Sequence, residues 1–261
     1  MLEPNARPGG TPPLLAVFTD FDGTLVEIAE TPDGVEVPAE VTDRLGRALS
    51  QFDHAFAVIT GRDIADIDRY LSPLQLPVAG VHGAQRRRAD GSFDTLDQSV
   101  STASDAIALA LEPLVQAHPE LIVEPKDGSV ALHYRRAPEL EETCRRALEE
   151  ALLEHPGFTL IPGKMVYEAR PAGLDKGTAL RAFMQEEPFA GRVPVFIGDD
   201  RTDEDAFRAA QELGGIGIKL GPGTTAARMR IADIASVYAL LQGLADISAG
   251  GHSDAPEDVP H

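Results

Sequence analysis

Cysteine is nearly absent. Cys144 is the only one in 261 residues, which excludes an intrachain disulfide and a Cys-x-x-Cys metal site. No segment approaches the roughly 18 consecutive apolar residues that a membrane span requires. The opening residues, MLEPNARPGGTPP, lack the apolar stretch of a secretory signal, so the chain is expected in the cytoplasm. Basic residues are also scarce: 23 Lys and Arg stand against 42 Asp and Glu, for a formal net charge of −19. Such a surface repels phosphate backbones unless a basic patch offsets it, and none is evident. The triplet Arg86-Arg87-Arg88 reads as a solvated turn. What remains is ordinary for a globular protein. Hydrophobic residues make up 43% and charged residues 25%, which excludes wholesale disorder, and the length allows one large domain or two modest ones.

Residues 1–12 are rich in Pro and Gly, and 248–261 are polar and patternless, so both ends read as loose tails. Between them, short apolar runs alternate with amphipathic ones. Leu14–Phe18, Ala55–Ile59, Pro77–Val81, Val193–Ile197 and Gly217–Leu220 read as buried strands. Helices are expected over Pro38–Phe52 and Asp63–Leu71, and from about Asp203. Continuous apolar strands alternating with helices predict an α/β fold with a doubly wound, Rossmann-like parallel sheet. The middle differs. Helical patterns at Ser101–His118 and Leu140–Leu153 alternate with paired strands at Leu121–Glu124, Ser129–Arg135, Phe158–Ile161 and Met165–Ala169. This is an α+β insert. It places a core at 13–100 and 171–247, with an inserted domain at 101–170.

Ligands of open parallel sheets bind at the C-terminal strand ends. Here those ends carry Asp20-Phe21-Asp22-Gly23-Thr24, Thr60-Gly61-Arg62 and Gly198-Asp199-Asp200. Taken alone, the first could be an Asx turn. Two carboxylates so close together call for a cation, and the addition of Gly-Asp-Asp makes a hard, oxygen-rich site suited to Mg2+. Lys176 opens a helix expected over Lys176–Glu187. A cation at that end opposes the helix dipole, so Lys176 either seeks an anionic partner or is a surface lysine beside Asp175. His82 and His133 have no partner histidine at metal spacing and read as core or strand-end residues. Gly221-Pro222-Gly223 reads as a loop, since the context of a phosphate cradle is missing.

The motifs DFDGTL, TGR, Lys176-Gly177 and GDDRTDE, in that order, resemble the four motifs of the haloacid-dehalogenase superfamily of phosphatases. The insert resembles its C2-type cap. More narrowly, Ala79–Ala84, Glu124-Pro125-Lys126, Ala131–Arg135, Lys164–Pro171 and Gly198–Glu204 resemble the trehalose-6-phosphate phosphatase family, from about residue 14 to 245. The resemblance implies a haloacid-dehalogenase core with an α+β cap. It also implies Mg2+-dependent hydrolysis of trehalose 6-phosphate, the closing step of trehalose synthesis, through an aspartyl-phosphate.

By the same resemblance Asp20 is the nucleophile and Asp22 the general acid and then base. Thr60 and Lys176 hold phosphoryl oxygens. The metal is bound by Asp20, the Asp22 backbone carbonyl and Asp199. Asp20, Phe21, Asp22 and Arg62 also fall in the substrate-binding set. Glu124, Lys126 and Glu168 occupy the cap positions that read the glucose rings, while Arg135 and Lys164 bind the phosphate or clamp the cap. Each of these cap charges alone would read as a solvated strand end. Asp200 and Asp203 either surround the metal ligands or cap the next helix. Gln85 departs from the family, where Glu is frequent. The expected partner is one small sugar phosphate, with no nucleic acid or membrane involved and the protein a monomer. Alternative readings are a capped phosphatase for sucrose or glucosylglycerol phosphate, or a silent sugar-phosphate sensor.

Overall fold

A computed structural model describes residues 13–28, 34–94, 98–126 and 128–250. The expected tail 1–12 and positions 251–261 lie outside them. Along the chain come β1 (Leu15–Thr19), α1 (Ala39–Gln51), β2 (Phe56–Ile59), α2 (Ile64–Leu71), β3 (Val78–Gly80), β4 (Gln85–Arg87) and β5 (Phe93–Asp94). There follow α3 (Gln98–Ala117), β6 (Ile122–Lys126), β7 (Ser129–His133), α4 (Glu141–Leu152), β8 (Phe158–Gly163) and β9 (Val166–Pro171). The last stretch holds α5 (Lys176–Phe183), β10 (Val193–Gly198), α6 (Glu204–Glu212), β11 (Ile216–Leu220), β12 (Met229–Ile231) and α7 (Ile234–Gly250). The chain forms two compact units, one from 1–57 with 180–261 and the other from 58–179.

In the first unit the strands run parallel in the order β12-β11-β10-β1. Ala16, Val17 and Phe18 of β1 are fully buried, as an apolar strand covered on both faces must be. Helix α1 begins just after Pro38 and buries Val41, Leu45 and Ala48 on one stripe. It packs against α7, while α6 packs on β10 and β11. Phe18, Phe183 and Phe189 form an aromatic cluster with ring centroids 5.1, 5.3 and 6.0 Å apart. Burying each such ring stabilises the fold by about 1.5–3 kcal/mol.

The second unit carries β2 paired parallel with β3, then an antiparallel extension through β4 and β5. Its other sheet is antiparallel throughout, in the order β6-β7-β9-β8. Side chains alternate across each of those strands. Val130 and Leu132 of β7 and Tyr167 and Ala169 of β9 turn to one face. There they form a core with Ile107 and Leu111 of α3 and Cys144 and Leu148 of α4. Burial pushes the Cys144 thiol pKa up.

The arginine triplet is not a solvated turn. Arg86 and Arg87 lie in β4, and Arg87 is buried. Its guanidinium donates to both Asp68 carboxylate oxygens at 2.7 Å and to the Leu76 carbonyl at 2.9 Å. Arg86 points the other way and pairs with Asp94 on β5. A planar fork can be buried when every donor direction has an acceptor, and the α2 carboxylate supplies two. Helix α5 also ends at Phe183, short of the expected Glu187. Pro188 disfavours helical backbone at the residue before it.

Candidate active site

In the first unit the site begins where β1 stops. Asp20 follows Thr19, its N–H donating to the Ile197 carbonyl of β10 at 2.9 Å. The next residue after β10 is Asp199, so parallel pairing sets Asp20 and Asp199 side by side. Asp203 joins them: carboxylate oxygens of Asp20, Asp199 and Asp203 lie within 4.8 Å of one another, Asp20 and Asp203 being buried. Three carboxylates at that spacing repel strongly in a low dielectric. This all-oxygen donor set fits a hard divalent cation.

Two glycines make the cluster geometrically feasible. Gly23 has φ +77°, and a Cβ there would run into the Asp199 carboxylate. A Cβ on Gly198 would collide with the Asp203 carboxylate. The carboxylates are also held from behind. Thr24 Oγ1 donates to Asp199 Oδ1 at 2.9 Å, and the buried Lys219 Nζ donates to the Asp199 carbonyl. Asp200 and Asp203 form a reciprocal capping box, with the Asp200 N–H donating to Asp203 Oδ2 at 2.9 Å. Asp203 therefore reaches back to the start of the 201–203 turn, makes no side-chain cap to α6, and belongs to the carboxylate cluster at once. Phe21 is wholly buried, and its carbonyl accepts the Leu25 N–H at 2.8 Å.

In the second unit Thr60 follows β2 and is buried. Its N–H donates to Ala79, and its Oγ1 accepts from the Arg62 N–H at 3.2 Å. The Arg62 guanidinium lies 5.1 Å from the Tyr70 ring centroid. Lys176, the first residue of α5, is buried. Arg170 of β9 is buried too; it lies within the Lys164–Pro171 motif but was assigned no role there. His82 lies among Lys176, Arg170 and Lys126. Burial first, and then those cations in that order, hold its pKa well below the usual 6.5.

One face of the β6–β9 sheet carries the polar residues. Register and alternation put Glu124 and Lys126 of β6, Ser129 and His133 of β7, and Glu168 and Arg170 of β9 on it together. Ser129 Oγ donates to Glu168 Oε1 at 3.0 Å. Glu124 Oε2 lies 2.7 Å from His133 Nε2, and Lys126 Nζ is 3.9 Å from Glu124 Oε1. The His133 hydrogen bond, ahead of the charges of Lys126, His133 and Arg62, lowers the Glu124 pKa. Arg135 and Lys164 are exposed in the turns that follow β7 and β8. Gln85 accepts the Ile64 N–H at Oε1, 3.0 Å away, which neutral amide chemistry satisfies as well as a carboxylate.

Sequence reasoning missed Lys219. Its signal was a single lysine in an otherwise apolar strand, Ile216–Leu220.

The trehalose-phosphatase family profile matches residues 18–235. The chain belongs to that family. It is 40% identical over 227 residues to the trehalose-6-phosphate phosphatase of Escherichia coli (strain K12), covering 87% of this chain and 85% of that protein. A crystal structure of a trehalose-6-phosphate phosphatase related protein superposes with a TM-score of 0.75 at 28% identity, covering 90% of this chain and 99% of that one. A phosphatase of the haloalkanoate enzyme superfamily from Bacteroides thetaiotaomicron shares the fold, with a TM-score of 0.62 at 17% identity over 94% of this chain and 99% of that one. This trehalose-phosphatase family member is thus a phosphoric monoester hydrolase on a haloacid-dehalogenase fold, with a largely parallel central sheet and a second, antiparallel one.

Proposed function

We propose that this chain hydrolyses trehalose 6-phosphate to trehalose and phosphate in two displacements. The observation that carries the reading is the buried carboxylate cluster at the end of β1 and β10, in a chain of the trehalose-phosphatase family. An Asp20 oxygen attacks phosphorus, and the bond between phosphorus and the sugar O6 breaks. Asp22 delivers its proton to O6, so trehalose leaves neutral and an aspartyl-phosphate remains. Asp22 then takes a proton from water as its oxygen attacks phosphorus, and the bond to Asp20 breaks to release phosphate. Thr60 and Lys176 hold phosphoryl oxygens, both side chains being buried, where hydrogen bonds act most strongly. Mg2+ would be held by Asp20, Asp199 and the Asp22 carbonyl, with Asp203 beside them, and would supply the charge neutralisation that lets an anion attack an anionic ester.

Residues 101–170 are the cap in this reading, and the remainder of 13–247 is the catalytic core. Glu124, Lys126 and Glu168 read the sugar hydroxyls, because carboxylates and an ammonium on one sheet face accept and donate several hydrogen bonds. Arg62, Arg135 and Lys164 add positive charge for the phosphate, Arg62 on the loop of Thr60. The protein acts in the cytoplasm as a monomer on a small molecule. Its net charge of −19 argues against a nucleic-acid partner, and no helix among the described residues is long and apolar enough to cross a membrane.

The test is phosphate release over a panel of trehalose, sucrose, glucosylglycerol and glucose phosphates, with Mg2+ and with EDTA. Trehalose 6-phosphate should be turned over best, EDTA should silence the enzyme, and added Mg2+ should restore it. Asp20→Asn should fold and bind substrate but not turn over, since an amide is no nucleophile here. Preference for another ester would move the assignment to that substrate. Activity in thoroughly chelated enzyme, or in the Asn variant, would defeat the mechanism. A wild-type chain that binds but never releases phosphate would be a sensor.

A further inference from the structure

The turn after β3 is strained. Val81 and His82 both adopt left-handed backbone, with φ 47° and 53°, and Gly83 follows at 106°. For a β-branched valine this is an outlier, and such conformations cost on the order of 1–3 kcal/mol each unless their surroundings enforce them. The enforcing contacts all lead to groups already named. The His82 N–H donates to the Thr60 carbonyl at 2.9 Å, and the Val81 N–H donates to the Arg62 carbonyl at 3.0 Å. A Cβ on Gly83 would stand 3.2 Å from the Asp175 carbonyl and the Ala179 Cβ, so the turn is pressed onto the start of α5, where Lys176 sits.

The His82 imidazole completes the arrangement. A Cβ on Gly61 would come within 2.6 Å of its Nε2 and 2.8 Å of its Cε1, so that side of the ring is packed against the loop between Thr60 and Arg62. The same Nε2 is 3.6 Å from Glu168 Oε2, while Ser129 holds the other Glu168 oxygen. The His82 Nδ1 is buried with no hydrogen-bond partner among the described residues. At 3.6 Å the contact with Glu168 is electrostatic. Contacts of this kind shorten to hydrogen bonds when a ligand fills a site.

We propose that His82 is a positioning residue that couples the sugar-reading carboxylate of Glu168 to the Thr60–Arg62 loop and the start of α5. This rests on Glu168 reading the sugar, as argued above. A sugar hydroxyl that draws Glu168 into place loads the imidazole. The ring and its backbone N–H bear on Thr60, and Gly83 bears on the segment that presents Lys176. Correct sugar and correct phosphoryl geometry are then linked through one side chain within the second unit.

A double-mutant cycle tests it: His82→Ala, Glu168→Ala and the pair, assayed on trehalose 6-phosphate and on p-nitrophenyl phosphate, with His82→Gln as the rescue. Removing a hydrogen bond to a charged group costs about 10–100-fold. His82→Ala should therefore lose about that much kcat/KM on trehalose 6-phosphate, with a smaller loss on the small ester. The double variant should be no worse than Glu168→Ala, because neighbours that act as one unit do not add. Gln, whose amide nitrogen reaches the Nε2 position, should recover most of the loss. Additive losses in the double variant, equal losses on both esters, or no rescue by a Gln variant of wild-type melting temperature would each overturn the coupling. A Glu168→Ala enzyme with undiminished activity on trehalose 6-phosphate would instead remove the sugar-reading role, and the coupling with it.

Discussion

At the scale of the residue, His82 is a histidine folded into a place where its charged form is unwelcome. Burial and the charges of Lys176, Arg170 and Lys126 keep its pKa well below 6.5, whereas in the unfolded chain it takes a proton near its ordinary value. Between those two pKa values the unfolded state binds more protons, so stability rises with pH. The neutral ring thus contributes its full share above about pH 6.5, and that share is lost as pH falls below it. Glu124 adds a second, more acidic window. Its pKa is lowered by the His133 hydrogen bond and then by Lys126, His133 and Arg62. Its contribution is present above the ordinary value of 4.5 and is lost as pH falls through the folded value. Urea denaturation at a series of pH values from about 7.5 down to 5.5 should show wild type losing stability faster than His82→Gln, by the linkage slope of one proton. Equal slopes in the two proteins would mean that His82 titrates normally.

At the scale of the element, the site depends on strands that stop in the right place with nothing on the next Cα. Gly198 ends β10 directly beneath the Asp203 carboxylate. Gly198→Ala should displace that carboxylate, and a shift of about 1 Å in such a group can cost on the order of 100-fold in rate. Calorimetric titration of Mg2+ should weaken in parallel, while circular dichroism stays that of the folded chain. Unaltered Mg2+ binding in the alanine variant would separate Asp203 from the metal site. Strand β4 allows a test of stability alone. Arg87→Ala strips Asp68 and the Leu76 carbonyl of their partner and should cost about 2 kcal/mol in unfolding free energy. A loss under a few tenths would make the pair ornamental.

The same elements show how far sequence could be read. Long apolar strands such as β1 and β10 declare themselves, since burial on both faces demands an uninterrupted run. The loops carrying Asp20, Thr60 and Asp199 were legible because they follow those strands. So were α3, α4 and β6 to β9, from the pairing of short alternating strands with amphipathic helices. Strands β4, β5 and β12 were not. They are two or three residues long and partly charged, and only pairing with neighbours already in place makes them strands. The roles of Arg87 and Lys219 were hidden for a related reason, because each is buried by partners distant in sequence, Asp68 and the Asp199 carbonyl.

At the scale of the whole molecule, a net charge of −19 meets a substrate that is itself a dianion. The two ranges of electrostatics then oppose each other. On the function proposed above, Lys176 and Arg62 attract the phosphate at close range, while the surface as a whole repels it from afar. Ionic strength separates these effects, because the screening length is about 30 Å at 0.01 M and about 8 Å at 0.15 M. At low salt the approaching ester feels the entire acidic surface; at physiological salt it feels mainly the cations it is about to touch. Encounter should therefore quicken as salt is added, which is the reverse of ordinary electrostatic steering. With Mg2+ held saturating, kcat/KM on trehalose 6-phosphate should rise between those two salt concentrations, and kcat, which follows binding, should stay nearly level. A kcat/KM that falls across the same range would mean that these local cations already govern the approach, and that the acidic surface serves solubility alone.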